Sequence, residues 1–78
     1  MPRYYLHIRQ GTTFCRDLEG EEFDDLEHAR REAVCSARDL AGAAVTNDKP
    51  VRGQVEIEDG SGKTLAIVRL RDVIAFGS

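Results

Sequence analysis

A chain of 78 residues with a formal net charge of −3 makes one domain and a poor general binder of polyanions, whose affinity rests on clustered positive charge. Its two cysteines are too few for a disulfide scaffold, and no apolar stretch approaches the roughly 18 residues of a membrane span. A domain this small buries only about 60–65% of the surface its unfolded chain exposes, so self-association is the expected route to extra stability.

The opening Met1-Pro2-Arg3-Tyr4-Tyr5-Leu6-His7-Ile8 lacks the apolar core of a signal peptide, which points to a cytoplasmic protein with reduced thiols. Arg3 to Arg9 reads as the first strand: Tyr4, Leu6 and Ile8 alternate with Tyr5, His7 and Arg9. Gln10-Gly11-Thr12 is a turn signal, and Thr13 to Asp17 reads as the second strand. A three-residue loop pairs Ile8 with Phe14 and sets His7 opposite Cys15. A two-residue loop puts Phe14 beside Arg9. With one face to bury, the first register is expected. Gly20 marks a tight bend in Leu18-Glu19-Gly20-Glu21-Glu22.

The run from Asp24 to Val45 is helical. Leu26, Ala29, Ala33, Ala37, Leu40 and Ala44 recur at steps of three and four, which places them on one face, and Glu27, Arg31, Ser36 and Arg38 lie opposite. Asp24 with Glu27 suits a capping box, with Asp25 as the alternative cap. Gly42 weakens the far end by roughly 1 kcal/mol. Thr46-Asn47-Asp48-Lys49-Pro50 ends the helix, with Asn47 as the left-handed cap. Because the stripe is alanine-rich, the large core side chains should come from the strands.

After Pro50, Gln54 to Glu58 alternates, Val55 and Ile57 against Gln54, Glu56 and Glu58. Asp59-Gly60-Ser61-Gly62 is a hairpin turn. Thr64 to Leu70 is apolar at Leu65, Ala66, Ile67, Val68 and Leu70 with little alternation, as in a central strand buried on both faces. Asp72-Val73-Ile74-Ala75-Phe76 is an apolar tail.

Residues 1–78 thus read as a single small α+β domain of order β-β-α-β-β, a four-stranded antiparallel sheet packed on one helix in a two-layer sandwich. One helix covers one face. The other face is expected to carry Tyr5, His7, Cys15, Ala66, Val68 and Leu70. That set is too apolar for water, so either the tail or a second copy covers it. A symmetric dimer with Val68 near the two-fold axis is the expectation.

The opening Met1-Pro2-Arg3-Tyr4-Tyr5-Leu6-His7-Ile8-Arg9 with Gly11, the acidic stretch of Asp17, Glu19, Gly20 and Glu22, and the segment Ala29-Arg30-Arg31-Glu32-Ala33 resemble a family of small bacterial proteins of unknown function. This resemblance covers nearly the whole chain and implies no activity, substrate or catalytic residue. As far as the helix, the strand pair followed by Leu26-Glu27-His28-Ala29 also resembles antitoxin-like domains of HicB type.

Several chemistries can be weighed on spacing alone. His7, Cys15, His28 and Cys35 are ligand-type residues. His28 and Cys35, however, are seven positions apart on one helix, roughly 10 Å along its axis, and ligands of one zinc ion lie within about 4 Å of each other. Cys15 opposite His7 would suit a thiolate–imidazolium pair, which Asp17 or Glu56 could orient only if the fold places one of them there. The acids from Asp17 to Asp25 lack the ligand spacing of a calcium loop, and Asp59-Gly60-Ser61-Gly62-Lys63-Thr64 lacks that of a phosphate loop. Arg30, Arg31 and Arg38 could follow a phosphate backbone, but Glu27, Glu32 and Asp39 are interleaved with them. The reading is a non-enzymatic binding or protein-interaction module acting as a homodimer, with no cofactor, metal or membrane. The alternatives are a DNA-associated regulator of antitoxin-like type using Arg30, Arg31 and Arg38, and a small enzyme using Cys15 and His7.

Overall fold

The computed structural model describes residues 2–75, with only the backbone for residues 74 and 75. Along the chain these form β1 (Arg3–Gln10), β2 (Thr13–Cys15), β3 (Glu21–Glu22), α1 (Leu26–Thr46), β4 (Gln54–Glu58), β5 (Thr64–Arg69) and α2 (Leu70–Ala75). The class is α+β: an open antiparallel sheet of order β2-β1-β4-β5, with β3 also paired to β1, lies against α1. The sheet has five strands where four were expected, because the two-residue β3 is too short to show a period.

The helix face is a row at steps of four. Ala29, Ala33, Ala37 and Ala41 are fully buried, with Leu26 and Leu40 half-buried beside them. Ala41 replaces Ala44 in the expected stripe because the contact follows one i±4 ridge across the sheet. Methyl groups let the backbone of α1 approach closely. The largest fully buried side chains are Ile57, Leu70 and Val55, supplied by β4 and the start of α2.

At the start of α1 the alternative cap is the one used, and at its end the left-handed residue lies one position past the expected Asn47. Asp25 is the N-cap: its Oδ1 accepts from the His28 N–H at 3.0 Å and lies 2.7 Å from the His28 ring Nδ1. With the cap at Asp25, position N3 falls on His28, and the expected Asp24–Glu27 box does not form. Asn47 is the C-cap with φ −94°, and the left-handed residue is Asp48, φ +55°. Lys49 N–H donates to Ala44 O at 2.8 Å and Asp48 N–H to Val45 O at 3.1 Å, which is a Schellman closure.

The first hairpin takes the two-residue loop. Ile8 pairs with Cys15, Arg9 with Phe14 and Gln10 with Thr13. Gly11, φ +60°, stands at the first loop position, where a type II′ turn places a glycine. All of β2 is exposed, so burial did not set its register and turn geometry did. Phe14 therefore joins the face turned away from α1. Its ring takes the Arg9 guanidinium at 4.3 Å and lies 5.6 Å from the His7 ring.

The expected central strand is an edge strand, and β1 and β4 are central. Val68 pairs with Val55 and Ala66 with Ile57, so both face α1, and Ile67 faces away. A bulge makes Leu65 an extra residue, so Leu65 and Ala66 both pack on the core. This bulge, not burial on two faces, explains the missing alternation. Leu70 leaves the strand and starts α2, whose Val73 packs into the core alongside α1. The tail therefore does not cover the open face through these residues. Phe76 lies outside the described residues.

Close approach of α1 gives a test. Ala33→Leu should destabilise the fold by about 1–3 kcal/mol, read as a lower urea midpoint, because the row leaves no room for added methylenes.

Candidate functional site

β2 and β3 pair with opposite ends of β1, through Ile8–Gln10 and Arg3–Tyr4, and leave Tyr5, Leu6 and His7 between them. Asp17 fills that gap. Its Oδ2 accepts from the Leu6 N–H at 3.2 Å, its Oδ1 accepts from the Gly20 N–H at 3.0 Å, and its own N–H donates to His7 Nδ1 at 2.9 Å. Because Nδ1 is an acceptor, the ring hydrogen is assigned to Nε2, which donates to Glu58 Oε1 at 3.0 Å. His7 is only 3% exposed with both nitrogens engaged. Gly20, φ +69°, closes the loop against the Tyr5 ring, where a Cβ would come within 2.8 Å of Tyr5 Cε2. The structure does bring Asp17 to His7, but through the Asp17 backbone N–H, and the closure of its carboxylate on Leu6 and Gly20 was not foreseen. Its one local signal is the Asp17-x-x-Gly20 spacing, in which an aspartate accepts from a backbone N–H three residues on.

A second polar pair lies beside it. Arg9 Nε donates to Glu56 Oε2 at 2.9 Å, and Gln54 Nε2 donates to the same oxygen at 2.7 Å. The Arg9 guanidinium holds the Glu56 carboxyl below its ordinary value, partial burial opposes this, and Gln54 adds to the lowering.

The six residues expected on one open face are divided between two. Tyr5 and His7 are on it. Ala66 and Val68 lie beneath α1, Leu70 is fully buried at the start of α2, and Cys15 shares the face of its partner Ile8. Cys15 and His7 thus stand on opposite faces and do not form a thiolate–imidazolium pair. Cys15 and Cys35 are both exposed. Among the described residues no three of His, Cys, Asp and Glu come together as a metal site. Arg30, Arg31 and Arg38 line a recess of about 360 Å³ on the outer side of α1, with Glu27 Oε1 3.9 Å from Arg31 Nε.

Another basic site was not legible. Arg9, Arg52, Arg69 and Arg71 line a cleft of about 350 Å³ at the end of the sheet where β1 and β5 finish and β4 begins. These arginines come from three distant segments, so no sequence spacing links them.

The fold and its polar clasp define a small α+β domain with one sheet face under a helix and one face open. Residues 3–71 match the model of DUF6894, a domain of unknown function, and the chain belongs to that family. No curated protein and no solved structure matches it. No helix among the described residues is long and apolar enough to cross a membrane.

Two outcomes follow from the polar geometry. Asp17→Ala strands the Leu6 and Gly20 N–H groups and should cost about 1–3 kcal/mol in urea denaturation. The folded pKa of Glu56 lies below the ordinary 4.5, so its stabilisation is complete above that value and is lost as pH falls through the lower folded one. Glu56→Gln should therefore be less stable than wild type at pH 7 by about 1 kcal/mol, with the difference closing as pH falls below 4.5 and through the folded value.

Proposed function

We propose that the chain is a cytoplasmic, non-enzymatic interaction module that works as a homodimer, two copies joined along the free edge of β5. The observation that supports this is the chemistry of that edge. β5 is an outer strand whose outer side has no pairing partner among the described residues. Strands left at a sheet edge are commonly guarded by lysine, proline or an inward charge. From Leu65 to Val68 this one has none, only the bulge at Leu65. Ile67, at its centre, is 43% exposed.

A two-fold axis normal to the sheet sets β5 antiparallel to its copy. The unpaired N–H and C=O groups then find partners, and the contact is isologous, the commonest form of assembly. Ile67, rather than Val68, lies near the axis, because Val68 faces α1. Both copies of α1 fall on one side, and the two open faces become one continuous surface. A second reading, a DNA-associated regulator, draws on the recess that gathers Arg30, Arg31 and Arg38. Duplex binding with a steep salt slope, flattened by Arg30→Gln with Arg38→Gln, would favour it.

Sedimentation at micromolar concentration tests the dimer. Wild type should run at about twice the monomer mass of 8.7 kDa, and Ile67→Lys should run as a monomer with an unchanged circular dichroism spectrum. A monomeric wild type, or an Ile67→Lys variant that stays dimeric, rules the edge contact out.

A further inference from the structure

The arginine cleft concentrates positive charge in an acidic protein. Arg9 is the last residue but one of β1, Arg52 precedes β4, Arg69 ends β5 and Arg71 sits in the first turn of α2. Of the four, Arg9 is already committed: Nε bonds Glu56 and the guanidinium lies on Phe14. Arg52, Arg69 and Arg71 are exposed and have no carboxylate within 4.0 Å among the described residues. Like charges repel, so their convergence has to be held by the backbone.

Gly53 holds it. At φ +115° a Cβ here would come within 2.5 Å of Arg9 O, so the loop presses directly on the end of β1. The carbonyl of Gly53 accepts from the Leu70 N–H at 3.1 Å, which fastens the same loop to the junction of β5 and α2. One residue thereby ties together the three segments that carry the arginines. Gln54, which also lines the cleft, keeps its amide on Glu56.

We propose that this cleft binds the oligophosphate group of a small molecule, a di- or triphosphate. Guanidinium forks match phosphoryl oxygens two bonds at a time, which an ammonium does not. Three guanidiniums with no carboxylate partner among the described residues exceed the charge of a single carboxylate and approach that of a chain of phosphoryl groups. The volume of about 350 Å³ falls at the small end of the usual range for small-molecule sites. A nucleic-acid backbone asks for cations spread along a track, and here they converge at one corner of a chain of net charge −3.

Calorimetry and amide chemical shifts with inorganic triphosphate test this on the full chain. Wild type should bind one equivalent, with shifts centred on residues 51–54 and 69–71. Arg52→Gln with Arg69→Gln should weaken binding about tenfold or more, and Arg52→Glu alone, which leaves β5 untouched, should lose it to a similar degree. Arg30→Gln with Arg38→Gln, on the far side of the molecule, should bind like wild type. The proposal is overturned if triphosphate does not bind at millimolar concentration, or if the cleft variants bind as wild type does. It is also overturned if short duplex DNA binds more tightly than triphosphate, which would make the cleft a nucleic-acid contact.

Discussion

The contact on which the rest of the structure depends is the row of Ala29, Ala33, Ala37 and Ala41 against β4 and β5. Alanine adds little buried area of its own, so the row does not supply the apolar bulk of the core. It sets a distance. With the helix backbone close to the sheet, Val55, Ile57, Ala66 and Val68 from beneath and Leu70 and Val73 from the side fill the space. β5 ends at Arg69, and Leu70 and Val73 of α2 pack into that core beside α1.

A single narrow helix also dictates the character of the other face. No helix among the described residues covers it, so its strands carry polar pairs: Arg9 with Glu56, and His7 with Glu58. His7 is the exception in burial. A neutral imidazole has one donor and one acceptor, and here each has a partner, so the ring can be buried without a stranded polar atom. Asp17 serves the same end for the backbone. It accepts the N–H of Leu6, which β2 and β3 leave unpaired in the middle of β1. The clasp thus substitutes for a length of edge strand and aligns the loop that leads to Gly20.

Much of this was readable residue by residue. The alternation of Tyr4, Leu6 and Ile8 in β1 and of Val55 and Ile57 in β4, the helical recurrence of alanine, the turns at Gly11 and at Asp59–Gly62, and the stop before Pro50 all rest on local periods or local backbone preference. The register of β2 followed the turn at Gly11 and not burial. The edge position of β5 and the sides taken by Val68 and Ile67 depend on which faces are covered. The spacing of apolar residues is the same whether a partner strand is present or absent. At Leu65 a bulge interrupted the period itself, and an irregular edge strand looked like a strand buried on both faces.

The sequence by itself determined the class, the helix and its alanine face, the alternation of β1 and β4, and the likeness of most of the chain to a family of unknown function. The helix and the strand alternation are each encoded within a few consecutive residues, where sterics and a repeating period act. Tertiary structure alone decided that Cys15 and His7 part to opposite faces, that Asp17 closes on His7, and that Arg9, Arg52, Arg69 and Arg71 meet. Those arrangements join segments separated by tens of residues, and they exist only because the order of strands and the pressure of Gly53 against β1 bring the segments together.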